Sequence, residues 1–178
     1  MPGAAKGAFP IFLNLEGAIV GYALDANLLF HAFLRRPDGT FAVFVDPGSC
    51  TCGAPAGCFG SAATYVDLFG RSVGNFADNS GNFVQHGLIR SRGGKLTTFD
   101  APGASTGSNQ ETGCPGCNLG VNFRGAIAGS YTDGHNVFHG FLCSPEGTFT
   151  TFDATGAGTG LRKRLPECDA NEPEQLKA

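Results

Sequence analysis

Three tandem copies of one short pattern constrain the fold of this chain more than any other feature of its sequence. Each copy contains the motif G-x-x-x-D, at residues 21–25, 74–78 and 129–133. A histidine that opens a short apolar segment follows in phase, and then a phenylalanine; these residues are His31, His86 and His139, and Phe44, Phe99 and Phe152. A repeat with a period of a little over fifty residues predicts one small structural unit per copy, stacked on its neighbours.

Short β-strands separated by tight turns are predicted within each copy. In the first copy, apolar segments at residues 18–23, 31–35 and 41–45 are separated by turn residues such as those at 37–39. A weaker fourth strand is predicted at residues 62–68 and again at 118–123. Apolar residues in the segment 41–45 occupy both faces, because alternate side chains of a strand point in opposite directions. The sequence therefore predicts an all-β fold of short antiparallel strands in propeller-like blades, with an open β-solenoid as the alternative.

Composition supports this fold class and excludes several partners. The 178 residues include 28 glycines, 16 phenylalanines and no tryptophan, which suits short strands and turns better than amphipathic helices. With a net charge of -3 and basic residues clustered only at 162–164, we expect no binding to nucleic acid. No apolar segment is long enough to predict a membrane span, and the first ten residues do not resemble a signal peptide.

The repeat also predicts the domain organisation. We expect one β-repeat domain at residues 1–160, with copies at about 13–50, 66–105 and 121–158, and a charged, flexible C-terminal tail at 161–178. Three propeller-like blades do not close a ring, since propellers have about four or more. The chain would therefore be part of a longer array, be completed by other chains, or form an open solenoid. We favour self-association, because an open blade leaves a strand edge that can pair with another chain.

The segment G-x-[IV]-x-G-x-x-x-D, followed by H-G-F-L and T-T-F-D-x-P-G, resembles the bacterial extracellular repeats known as the HAF family. The resemblance covers roughly residues 13–160 and is clearest between His139 and Phe152. It implies a repetitive, propeller-like β-architecture and a secreted or cell-surface location, but no common activity. The first copy departs from the pattern, because Val45 stands where the later copies have Asp100 and Asp153.

An aspartate and a histidine recur together in every copy and are the first candidates for chemistry. The pairs are Asp25 with His31, Asp78 with His86, and Asp133 with His139. Carboxylate oxygen and imidazole nitrogen can together bind a metal ion or form a general base with its orienting partner. The alternative is structural, with each aspartate accepting hydrogen bonds from turn amides and each histidine bonding a neighbouring strand.

Two further groups of residues could bind a metal. The loops at 78–82 and 132–136 are rich in Asp, Asn and Ser oxygens, the ligands that Ca²⁺ prefers, although such residues are also ordinary in turns. Five of the seven cysteines lie between copies and could bind Zn²⁺ or form disulfides: Cys50, Cys52, Cys58, Cys114 and Cys117. The extracellular resemblance favours disulfides.

Two functions follow from these residues. The first is an extracellular-type module with a binding or assembly role, whose partner is a glycan, a protein or its own copies. The second is a metal-dependent hydrolase of small esters or lactones, with Ca²⁺ a better candidate than Zn²⁺. In that enzyme the catalytic residues would be Asp133, His139 and the unrepeated His135.

Overall fold

Three four-stranded antiparallel sheets make up the described part of the chain. The computed structural model describes residues 6–52, 58–104, 112 and 119–156. Within these residues, every regular element is a β-strand, and there is no helix that could cross a membrane. In each sheet the strands are adjacent in the order in which they occur along the chain. The all-β fold predicted from the sequence is therefore confirmed.

The strand boundaries are as follows. Sheet I contains β1 (Gly7–Leu13), β2 (Ile19–Leu24), β3 (Phe30–Arg35) and β4 (Phe41–Phe44). Sheet II contains β5 (Ser61–Val66), β6 (Ser72–Ala77), β7 (Gln85–Arg90) and β8 (Leu96–Phe99). Sheet III contains β9 (Gly120–Val121), β10 (Ile127–Thr132), β11 (Phe138–Cys143) and β12 (Phe149–Phe152).

Most of these strands were expected from the sequence, but the first was not. Strands β2, β3 and β4 match the three predicted segments of copy one, and β5 and β9 match the weaker fourth strand. Strand β1, in contrast, lies where no strand was predicted, and it carries Pro10, which reads as a break in a strand. Since β1 pairs only with β2 and is an edge strand, the proline removes no pairing that the sheet needs. Sheet I therefore includes a strand, Gly7–Leu13, that precedes the first segment of the repeat pattern. The predicted tail at 161–178 lies outside the described residues.

The turn between the first and second strands is built in the same way in every sheet. An Asn or Asp side chain accepts backbone N–H bonds from two and four residues ahead in sheets II and III, and from four ahead in sheet I. These capping residues are Asn14, Asp67 and Asn122. A glycine with positive φ completes each turn at Gly17, Gly70 and Gly125, a backbone conformation that other residues rarely adopt.

The sheets stack face to face, and each has two distinct faces. We call the face that carries Val20 and Leu34 in sheet I the forward face, because it packs against Ala63 and Val66 of sheet II. The forward face of sheet II carries Val73 and packs in turn against sheet III. The opposite face of each sheet, which packs against the sheet before it, is called the rear face. Two core layers of the described residues therefore lie between the sheets, one between sheets I and II and one between sheets II and III.

Hydrogen bonds between repeat-equivalent positions hold the stack in register. The amide Nδ2 of Asn14 donates to the carbonyl oxygen of Asp67 at 2.8 Å. These two residues cap the equivalent turn in sheets I and II. The hydroxyl of Thr64 likewise donates to the carbonyl oxygen of Leu119 at 3.0 Å, which ties the first strand of sheet II to sheet III. The first strands of successive sheets therefore lie side by side.

Candidate functional site

The recurring aspartate and histidine are in contact in every sheet. The distance from Asp Oδ2 to His Nε2 is 3.1 Å for Asp25 and His31. It is 3.5 Å for Asp78 and His86, and 3.5 Å for Asp133 and His139. The other carboxylate oxygen of each aspartate accepts backbone N–H bonds from the turn between the second and third strands. These aspartates therefore make the hydrogen bonds to turn amides that the structural alternative predicted.

A second aspartate completes the site in sheets II and III. Nδ1 of His86 lies 2.8 Å from Oδ1 of Asp100, and Nδ1 of His139 lies 2.8 Å from Oδ1 of Asp153. Both of these aspartates directly follow the last strand of their sheet. Val45 occupies this position in sheet I, so His31 has one carboxylate partner where the other two histidines have two. Each two-aspartate site joins the turn before the third strand to the end of the fourth.

The two carboxylates stabilise the charged form of each imidazole. The hydrogen bond to Asp100 raises the pKa of His86 above its usual value, and burial opposes this shift only in part. The hydrogen bond to Asp153 raises the pKa of His139 in the same way. The amide of Val137, followed by smaller contributions that include His135 and His139, lowers the pKa of Asp133 to about 2. Since an imidazole must be neutral before it can accept a proton, the raised pKa values of His86 and His139 suit an ion pair with the two carboxylates better than a general base.

The structure brings His135 beside Asp133 but keeps it exposed. Nδ1 of His135 lies 3.5 Å from Oδ2 of Asp133, the same oxygen that faces His139. Each aspartate–histidine pair lies within its own sheet, and the described residues contain no group of three or more His, Cys, Asp or Glu side chains arranged to hold a metal ion. A Ca²⁺ site at Asp25, Asp78 or Asp133 stays a prediction.

The cysteines of the first linker form a disulfide. Cys50 and Cys58 are bonded to each other and fully buried, and they pack against Leu29 and Ala77. Of the two alternatives for these cysteines, disulfide or zinc ligand, the structure thus shows the disulfide. Cys52 has a free, exposed thiol. Cys114 and Cys117 lie outside the described residues.

The outer faces of the stack are the larger candidate site. Leu13 on the rear face of sheet I is 60% exposed, whereas the repeat-equivalent Val66 and Val121 are 0% and 3% exposed. The same contrast appears at the other end of the stack. Leu34 on the forward face of sheet I is 3% exposed, whereas the equivalent Leu142 of sheet III is 46% exposed.

Further apolar side chains extend both outer faces. Phe41 and Val43 lie on the rear face of sheet I, and Phe152 lies on the forward face of sheet III; all three are exposed. The strand pairing places Leu13, Ile19, Arg35 and Phe41 in one row across sheet I. Each end of the stack therefore presents exposed apolar side chains. A neighbouring sheet covers the inner equivalents of Leu13 and Leu142, whereas Thr98, the equivalent of Val43 in sheet II, is exposed.

A groove also lies where the first two strands of each sheet turn. It has a volume of about 370 Å³ and is lined by residues from all three sheets. At its rim, the exposed Leu15, Leu68 and Phe123 each follow a turn-capping residue. The groove is apolar, and it is built from equivalent positions of the three copies.

Sequence reasoning identified the aspartate–histidine pairs but missed two features of these sites. It noted Asp100 and Asp153 only as repeated residues, since nothing in their spacing shows that they lie beside a histidine. It also placed the open surface at a strand edge, whereas the structure exposes whole sheet faces. Comparisons with protein family models, with curated proteins and with solved structures find no match to this chain.

Proposed function

We propose that this chain is a β-repeat module with a binding and assembly role, and that its two outer sheet faces bind further copies of the same chain. One observation carries the proposal: Val66, Val121 and Leu34 are buried between sheets, whereas their repeat equivalents Leu13 and Leu142, at the two ends of the stack, are exposed. Exposed apolar patches of this kind mark interaction sites on soluble proteins. In this proposal the three sheets are blades of a propeller-like assembly completed by other chains.

The disulfide supports an oxidising compartment for this module. Disulfides persist outside the cytosol and are rare within it. We therefore place the protein outside the cell or at its surface, as the family resemblance implies.

The test is the mass of the protein in solution, measured by light scattering after size exclusion over a range of concentrations. The proposal predicts a mass well above the 18.4 kDa of one chain, falling toward it on dilution. Replacement of Leu13 by aspartate should shift the protein to the monomer mass, because a charge on an apolar contact face must be desolvated without a partner.

The matched control is the same replacement at Leu15, two residues along the chain. Leu15 is 93% exposed at the tip of a turn and lies outside both outer faces. Leu15→Asp should therefore leave the mass unchanged. A wild-type protein that stays at the monomer mass at every concentration would refute the proposal.

The metal-dependent hydrolase remains the alternative, and the same protein sample tests it. That function predicts hydrolysis of small esters or lactones that is lost in excess chelator and on replacement of Asp133 or His139 by alanine. The assembly module predicts no turnover in either condition.

A further inference from the structure

We propose that the chains assemble head to tail, with the forward face of sheet III in one copy packing on the rear face of sheet I in another. This inference rests on the proposed function and adds to it which face meets which. In this contact Phe152 of one copy would take the place that Phe44 and Phe99 take inside the chain. The occupant of each outer face is therefore a second copy of this chain.

The first internal junction, between sheets I and II, shows the kind of contact that we expect between two copies. Phe44 is the last residue of β4 and lies on the forward face of sheet I. The guanidinium carbon of Arg90, on the rear face of sheet II, lies 5.4 Å from the centre of its ring. An Arg over an aromatic ring is attracted by the ring's negative face, more strongly where water is excluded. Arg90 is itself buried, so this contact is shielded from solvent.

The second internal junction, between sheets II and III, repeats the contact with aromatic partners. Phe99 is equivalent to Phe44, and its ring centre lies 6.1 Å from that of Phe141 and 6.2 Å from that of Phe149. Both partners lie on the rear face of sheet III. Distances in this range are favourable for edge-to-face and tilted aromatic pairs. In both junctions, then, the phenylalanine that ends the fourth strand inserts against the rear face of the next sheet.

The rear face of sheet I carries the partners from both of these junctions. Arg35 stands at the repeat position of Arg90, while Phe33 and Phe41 stand at the positions of Phe141 and Phe149. The rings of Phe33 and Phe41 are 6.0 Å apart, close to the 5.7 Å between Phe141 and Phe149. Phe33 is already buried within the chain, so Phe41, which is 40% exposed, is the ring that a second copy can reach. The residue that would complete this set is Phe152, which ends the last strand and is 55% exposed.

The charges also favour this pairing. At the first junction Arg36 approaches Arg90, and burial together with this like charge lowers the pKa of Arg90. Ser144 of sheet III stands at the repeat position of Arg36. When sheet III packs on sheet I of another copy, a neutral serine therefore faces Arg35. Two rear faces packed on each other would instead bring Arg35 of each copy together.

A head-to-tail contact is heterologous, so it either closes into a ring or extends into a filament. Two copies joined at both ends would give a ring of six sheets, within the four to eight blades of known propellers. Each closed pair then contains two identical junctions.

The experiment uses one variant blocked at each face. Phe152→Asp blocks the forward face of sheet III, and Leu13→Asp blocks the rear face of sheet I. Each variant alone retains only one competent face and should run at the monomer mass. In an equimolar mixture the two competent faces meet, and a dimer with one junction should form. This mixed dimer has one junction, whereas the closed pair of the wild type has two. The mixed dimer should therefore already dissociate at concentrations at which the wild type is still dimeric.

The outcomes separate this inference from the proposed function. If either variant alone stays dimeric, like faces pair, and head-to-tail assembly is wrong while self-association stands. If the mixture stays monomeric at the highest concentration reached, the pairing is also wrong. If the wild type is itself a monomer, both proposals fail. Phe69→Asp serves as the matched control, because this phenylalanine is 52% exposed in a turn of the middle sheet, and the variant should assemble like the wild type. Circular dichroism and thermal unfolding establish that both blocked variants are folded.

Discussion

Replacement of Phe141 by alanine tests the face-to-face packing on which this description of the protein depends. Phe141 lies on the rear face of sheet III and is 0% exposed, and it belongs to the core layer between sheets II and III. Its ring contacts the rings of Phe99 and Phe149 and lies above Gly129, the paired residue on β10. If the two sheets pack as described, the loss of this ring must leave a cavity between them.

The size of the effect follows from these contacts. Replacement of a buried phenylalanine by alanine costs about 3–5 kcal/mol, with the exact value set by how far the neighbours collapse into the space. Gly129 has no side chain to fill the space from below. Phe99 and Phe149 are only partly buried and can move inward. We therefore expect a loss in the lower part of this range, about 3 kcal/mol, out of a total stability of roughly 5–15 kcal/mol.

Urea denaturation followed by circular dichroism measures this loss. The midpoint should fall while the slope changes little, since the same surface is exposed on unfolding. The control is Leu15→Ala, which removes an exposed leucine and should change stability by at most about 0.5 kcal/mol. A loss below about 1 kcal/mol for Phe141→Ala would refute the packing of sheets II and III described above.

Three further predictions concern pH, the disulfide and the turn caps. Because the folded-state pKa values of His86 and His139 are raised, their stabilising contribution is complete below about pH 6.5 and is lost as the pH rises through the raised values. The urea midpoint should thus fall between pH 6 and 8.5 in the wild type and fall less in a variant with glutamine at both positions; equal slopes would contradict the ion pairs. Reduction of the Cys50–Cys58 bond should lower stability by roughly 2–3 kcal/mol, as measured by thermal unfolding with and without reductant. Cys52→Ser, the control, should have no effect. A thermal midpoint that does not respond to reductant would count against the bond. Asp67→Ala should cost about 1–2 kcal/mol in urea unfolding, because the amides of residues 69 and 71 lose their acceptor. Asp67→Asn should be nearly neutral, since Asn fills the same position in the other two sheets. Equal losses in the two variants would contradict the cap.

Much of the fold could be predicted from the sequence because the turns are local. The repeated G-x-x-x-D motif and the glycine turns mark strand ends through backbone requirements of a few residues, and most strands lie where these signals place them. Strand β1 was missed because Pro10 reads as a break and because its sequence is not similar to that of β5. Its position relative to β2 is nevertheless the same as that of β5 to β6.

The sites could be predicted only in part, for a physical reason. Asp25 and His31 are close in sequence, and a pair of adjacent strands brings them together. Asp100 reaches His86 across the pairing of β7 with β8, a contact that residue spacing does not show. Which sheet faces are covered depends on the stacking of whole sheets. The sequence shows apolar residues on both faces of a strand but does not show which of them a neighbouring sheet buries.

The most direct test of the central claim is the fluorescence of a Phe152→Trp variant. The chain has no tryptophan, so the new side chain is the sole reporter of its kind. If the forward face of sheet III packs on a second copy, the emission should be that of a buried indole at high protein concentration and should shift to longer wavelength on dilution, in parallel with the mass. An emission typical of exposed tryptophan at every concentration would contradict the claim that the outer faces of this stack bind each other.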